Sequence, residues 1–99
     1  MNRKQLVKLL ADHGVEDEVV LVDGFEEAFL GITESQPGRL ACAVYDTAKC
    51  LNILVDRDGM SQDGAIEFFE YNVAGTHMGD RTPVFLTSIK TSTKKKGTK

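Results

Sequence analysis

Apolar positions change their spacing several times along this chain, and each change marks an element. Between residues 2 and 13, Leu6, Leu9 and Leu10 recur at i, i+3 and i+4, the stripe of an amphipathic helix. Asn2 stands at its N-cap with Gln5 three residues on, the pair of a capping box, and Gly14 supplies the stop. Glu18–Val22 (EVVLV) is rich in β-branched residues and predicts a short strand near residue 20. Asp23–Glu27 (DGFEE) predicts a turn or a single helical turn, capped by Asp23 and Glu26. Phe29–Glu34 (FLGITE) predicts a strand and Ser35–Gly38 (SQPG) a hairpin connection. Arg39–Tyr45 (RLACAVY) is the partner strand, and its nearly unbroken apolar run makes it the central one.

The spacing then returns to helical. Asp46 or Thr47 caps a helix over Ala48–Arg57, with Cys50, Leu51 and Leu54 as its stripe and Gly59 beyond its end. Ser61 caps a third helix over Gln62–Val73, with Asp63 in its first turn and Ala65, Ile66, Phe68, Phe69 and Val73 facing inward. The two helices form an αα-hairpin through Asp58–Met60. A loop over Ala74–Pro83 leads to a last strand, Val84–Ile89. The order α-β-β-α-α-β, with an optional strand near residue 20, predicts an α+β fold. A small antiparallel sheet of three or four strands would carry its helices on one face. The other face is then solvated, covered by the first helix, or covered by a partner, which leaves room for a homo-oligomer.

Charge sharpens this outline. The 99 residues sum to −3, but all fifteen acids lie in residues 1–89, where seven Lys or Arg leave a balance of −8. The last ten residues hold five Lys and no acid. The expectation is one acidic domain over 1–89 and a disordered basic tail over 90–99. The tail could touch nucleic acid non-specifically through phosphate charge, but it lacks aromatic residues for base stacking. The acidic body disfavours nucleic acid. No apolar run reaches the length of a membrane span, and the N-terminal stretch, broken by Lys8 and Asp12, does not read as a secretory signal. A cytoplasmic location is the expectation, and two cysteines eight residues apart agree with it.

Little in the chain fixes a reaction. Asp56-Arg57-Asp58-Gly59 has the look of a calcium loop, but Ser61 stands where the sixth position requires glycine, so it reads as a solvated helix end. Two His and two Cys far apart make no zinc set, and no cofactor or metal is expected. Cys42 and Cys50 fall on strand and helix core positions and read as inert thiols, so no catalytic residue is assigned. Neither phosphate-binding glycine motif occurs. The Gly75–Thr82 loop follows a helix C-terminus, whose dipole opposes an anion, and Asp46 occupies the N-terminus of the second helix as its cap. The polar residues left for recognition are Tyr45, Asp46, Asn72, Thr76, His77, Arg81 and Thr82. Asn72 falls on the apolar side of the third helix. There it would either tie down the following loop or reach into a pocket. Tyr45 divides the same way, between a local bond and a recognition cleft.

Three segments carry a further signal: FEEAFLGI (25–32), VYDTAKCLNILVDRDGMSQDGAIEFFEYNVAG (44–75) and GDRTPVF (79–85). Together they resemble a recurrent family of small uncharacterised proteins encoded by bacteriophages and prophages. That family has an AxxG strand, a YDxxKC helix start, a DGM-S/T turn, an aromatic–acidic helix ending in Asn, and a GxxTP entry to the last strand. The resemblance implies that Ala28, Gly31, Tyr45, Asp46, Gly59, Met60, Asn72, Gly75, Gly79, Thr82 and Pro83 are signature positions. Gly64 departs from the pattern, where an acidic residue is usual, and as a poor helix former it should weaken the helix start.

Two functions of different kinds follow. The first is a small non-enzymatic accessory binding protein, of the phage type the resemblance implies. Its acidic surface would dock on a basic host protein, including a defence factor, and inhibit or modulate it. The alternative is a module that sequesters a small nucleotide-like ligand among the seven polar residues. A small hydrolase or transferase is a third, with no evident nucleophile–base pair behind it.

Overall fold

In a computed structural model the chain is described over residues 2–15, 19–34, 37–38, 40–75 and 79–89. The tail, Glu18, Ser35 and Gln36 of the SQPG connection and Arg39 lie outside these residues. Helix α1 spans Arg3–Asp12. Its N-terminus is closed by both arms of the capping box. The Gln5 N–H donates to the Asn2 side chain at 2.8 Å, and the Asn2 N–H to the Gln5 side chain at 3.0 Å. At the other end the N–H of Gly14 bonds Ala11 O at 2.9 Å and that of Val15 bonds Leu10 O at 3.0 Å. This 6→1 and 5→2 pair needs the positive φ that Gly14 supplies. Leu6 and Leu10 are buried; Leu9, on the margin of the stripe, stays largely exposed.

Residues 19–22 form no strand. Their β-branched composition fits a strand, but one of their N–H groups, that of Val22, is taken by a side-chain oxygen instead of a ladder. Glu26–Ala28 makes a single 3-10 turn. Glu26 accepts from the Gly24 N–H at 3.3 Å, whereas Asp23 pairs with Arg3 and caps nothing.

The sheet has three strands, β1 (Phe29–Ile32), β2 (Ala43–Asp46) and β3 (Val84–Leu86), with β2 in the centre as its apolar run predicts. β1 runs antiparallel to β2 with a bulge between Phe29 and Gly31. β3 pairs parallel to β2, with Val84 beside Val44 and Leu86 beside Asp46. The sheet is therefore mixed, not wholly antiparallel. The chain enters β3 level with the start of β2, so the long connection over 47–83 acts as a crossover.

Helices α2 (Thr47–Asp56) and α3 (Gln62–Phe69) form the expected αα-hairpin. Asp46 and Ser61 cap them, accepting from the N–H groups of Lys49 and Gly64. α3 then widens into one π-helical turn over Glu70–Ala74. The hairpin buries Cys50, Leu54, Ala65, Phe69 and Val73 against the inner sheet face of Phe29, Ala43, Tyr45 and Phe85. Ile66 and Phe68, expected inside, are 41% and 38% exposed, because a stripe of Ala65, Phe69 and Val73 suffices to meet the sheet. On the outer sheet face Leu30, Val84 and Leu86 remain exposed. The whole is a small α+β fold.

Candidate functional site

Five of the seven polar residues singled out from the sequence lie among the described residues. Tyr45 is completely buried. Its ring stacks on Phe85 at 5.8 Å and meets Phe29 edge-on at 5.7 Å, while its hydroxyl accepts from the Val22 N–H at 2.9 Å. Burial pushes its phenol pKa up, and the Val22 bond opposes that shift. Asp46 follows in the same strand, is only half-buried, and caps α2 through the Lys49 N–H at 3.1 Å. The N-terminus of α2 is thus met by a carboxylate, which works against an anion there. Arg81 and Thr82 are half-buried at a 3-10 turn, Gly79–Arg81. The Thr82 hydroxyl donates to Gly79 O at 2.7 Å. Thr76 and His77 lie outside the described residues.

Asn72 is exposed, not buried. In an unbroken α-helix it would lie beside the Phe69 stripe. The π turn carries more residues per revolution, so it sweeps Asn72 outward while Val73 takes the inward place.

Asp46 does border a recess of about 320 Å³, with Thr47, Ala48, Leu51, Thr87 and Ser88. A larger groove of about 480 Å³ runs between the 24–27 turn and the outward face of α2. Lys49, Asn52, Ile53 and Asp56, spaced i, i+3, i+4 and i+7, form one wall; Gly24, Glu27 and Arg57 complete it. Tyr45, Asn72, Arg81 and Thr82 line neither.

Arg57 holds the groove's shape. Its Nη1 donates to Gly24 O at 2.6 Å, its Nε and Nη2 donate to the Asp58 carboxylate at 2.9 and 3.0 Å, and its guanidinium stands 5.7 Å from the centre of the Phe25 ring. The bond to Asp58 raises the Arg57 pKa, and the same bond lowers that of Asp58. The sequence shows these residues only as a solvated helix end; the bond to Gly24, 33 residues away, has no local signal. Two acids and two cations make the groove polar without a dominant sign.

The Cys50 thiol is not set up as a nucleophile. Cys50 is fully buried and desolvation, with Asp46 adding to it, pushes its pKa up to about 12. Cys42 is half-buried, and its thiol meets Leu40 O at 3.5 Å. Among the described residues no group of three or more His, Cys, Asp or Glu is placed to hold a metal ion, and no helix is long and apolar enough to cross a membrane.

The outward side of α3 and its π turn has a different character. Asp63, Glu67 and Glu70 are exposed there, and none of them takes part in an ion pair among the described residues. No Lys or Arg occurs between residues 58 and 80. Tyr71, in the π turn that follows Glu67 and Phe68, is 77% exposed, the most of any described aromatic side chain. The sequence placed Phe68 inside and assigned Tyr71 no role. The signal available was the aromatic–acidic alternation EFFEY itself. Family models, curated proteins and solved structures contain no match to this chain.

Proposed function

We propose that this chain is a small non-enzymatic binding protein that docks on a basic protein partner. The observation that carries the reading is the excess of carboxylates: fifteen acids against seven Lys or Arg in residues 1–89. Three of those seven cations pair with carboxylates of the same surface, Arg3 with Asp23 and Glu26, Lys8 with Asp12 and Arg57 with Asp58. What is left is a surface of net negative potential, which attracts a basic protein and repels a polyanion. The resemblance to phage-encoded accessory proteins makes the partner a bacterial host factor, a defence protein among the candidates, held in check by occlusion of its basic surface. Capture on the immobilised chain from bacterial lysate tests this. A specific protein should be retained at low salt and released as salt rises past the screening range. Failure to retain any protein at low salt overturns the reading.

A second reading is a small polar ligand in the groove beside α2, favoured by its volume of about 480 Å³, within the usual range for ligand sites. Calorimetric titration with a nucleotide panel tests it, and flat traces throughout remove it.

A further inference from the structure

The geometry points to the outward side of α3 and its π turn as the docking surface, with an arginine-bearing protein segment as its occupant. The inference rests on the binding reading above and adds to it the surface and the chemistry of the partner. Tyr71 projects from this side at 77% exposure, one turn after exposed Glu67 and Phe68, at the start of the π turn. Asp63 and Glu70 extend the acidic margin along the same two turns. An exposed aromatic face flanked by carboxylates fits a guanidinium better than any other side chain. The planar cation stacks on the ring while its N–H fork reaches the adjacent carboxylate. Lysine satisfies the charge but neither the fork nor the stack as well.

Charge complementarity also decides against the other occupants. A second copy related by a two-fold axis would set Asp63, Glu67 and Glu70 against themselves. The lysines at 90–99 match the sign, but that segment has neither arginine nor an apolar side chain to cover Tyr71 and Phe68.

The test uses the full chain with oligo-arginine and oligo-lysine peptides of equal length, followed by titration and by amide chemical shifts. Oligo-arginine should bind more tightly than oligo-lysine, with the largest shifts at Glu67–Asn72. Tyr71→Ala, at an exposed position that the fold does not need, should weaken oligo-arginine by about two- to fivefold and leave oligo-lysine nearly unchanged. Glu67→Gln with Glu70→Gln should weaken both. Equal binding of the two peptides with shifts spread over other faces overturns the docking surface but leaves the acidic-surface reading standing. No binding of either peptide at low salt overturns both. Shifts at Tyr71 on replacing the five tail lysines with glutamine assign the surface to the tail and overturn the proposal. A dimer that Tyr71→Ala dissolves assigns it to a second copy and does the same.

Discussion

The Tyr45 hydroxyl accepts a hydrogen bond from the Val22 N–H at 2.9 Å and so joins the central strand to a segment 23 residues earlier that has no strand partner. One side chain thereby does two things: its ring fills the core between Phe29 and Phe85, and its oxygen satisfies a part-buried donor. Tyr45→Phe keeps the first and removes the second. It should cost about 1–3 kcal/mol in urea unfolding, the penalty for a buried donor left unpaired. Amide exchange at Val22 should quicken more than exchange in α2. An unchanged Val22 amide would mean that the bond does not anchor the segment.

Arg57 is half exposed, so its ion pair with Asp58 adds little by itself. Its bond to Gly24 O is another matter, because it spans 33 residues and ties that turn to the end of α2. Arg57→Lys keeps the charge and loses the fork, and should lower stability by about 1 kcal/mol, as much as Arg57→Gln does. Full rescue by lysine would show that charge alone is at work.

Gly75 has an ordinary backbone conformation, φ −81, yet a Cβ there would come within 2.5 Å of the Glu70 carbonyl oxygen. The wide turn brings that carbonyl against the residue that follows it. Gly75→Ala must either push the turn apart or tighten it to α, and should cost about 1–3 kcal/mol, within the range for overpacking. Tightening would rotate Tyr71 and Asn72, so a two-dimensional NMR spectrum should show changes through residues 70–75 as well as the stability loss.

The Cys50 thiol titrates at about 12 in the folded chain against an ordinary 9.0. Between those values the unfolded chain gives up a proton that the folded chain keeps, so stability is complete below pH 9 and falls as pH rises through the window. The slope approaches about 1.4 kcal/mol per pH unit, and the raised Tyr45 phenol acts in the same direction. Urea midpoints measured across this range should fall steeply, and Cys50→Ala should flatten the decline even as it lowers the starting value. In the native state a thiol reagent should modify half-buried Cys42 first and reach Cys50 only on unfolding.

What could be seen in the sequence is local. Asn2 and Gln5, Asp46 and Ser61, Gly14 and Gly59 each act within a few residues, and the helix limits they imply are close to those observed. The central place of β2 shows in its apolar run because both its neighbours and the helical layer bury it. What was hidden depends on distance. The direction of β3 is set by how residues 47–83 cross over, and no spacing within Val84–Leu86 records it. The strand expected at Glu18–Val22 failed because β-branched residues describe a preference and not a partner. Among the candidate site residues, Asn72 was misplaced by assuming that one helical period continues past Phe69, where the chain in fact widens. The Arg57 clamp joins residues 33 apart and leaves no trace in either neighbourhood.

Phe85 lies between Tyr45 and Phe69, at 5.8 Å from one ring and 5.0 Å from the other, and it sits in β3, which follows every other helix and strand among the described residues. The ribosome therefore delivers α1, α2, α3 and two strands before the ring that joins β2 to α3. Until β3 emerges and crosses to the far side of β2, the nascent chain carries an open aromatic seam along its core, a surface on which unfinished chains aggregate. A premature stop anywhere before Phe85 should accordingly yield not a smaller version of this protein but a substrate for chaperones and proteases.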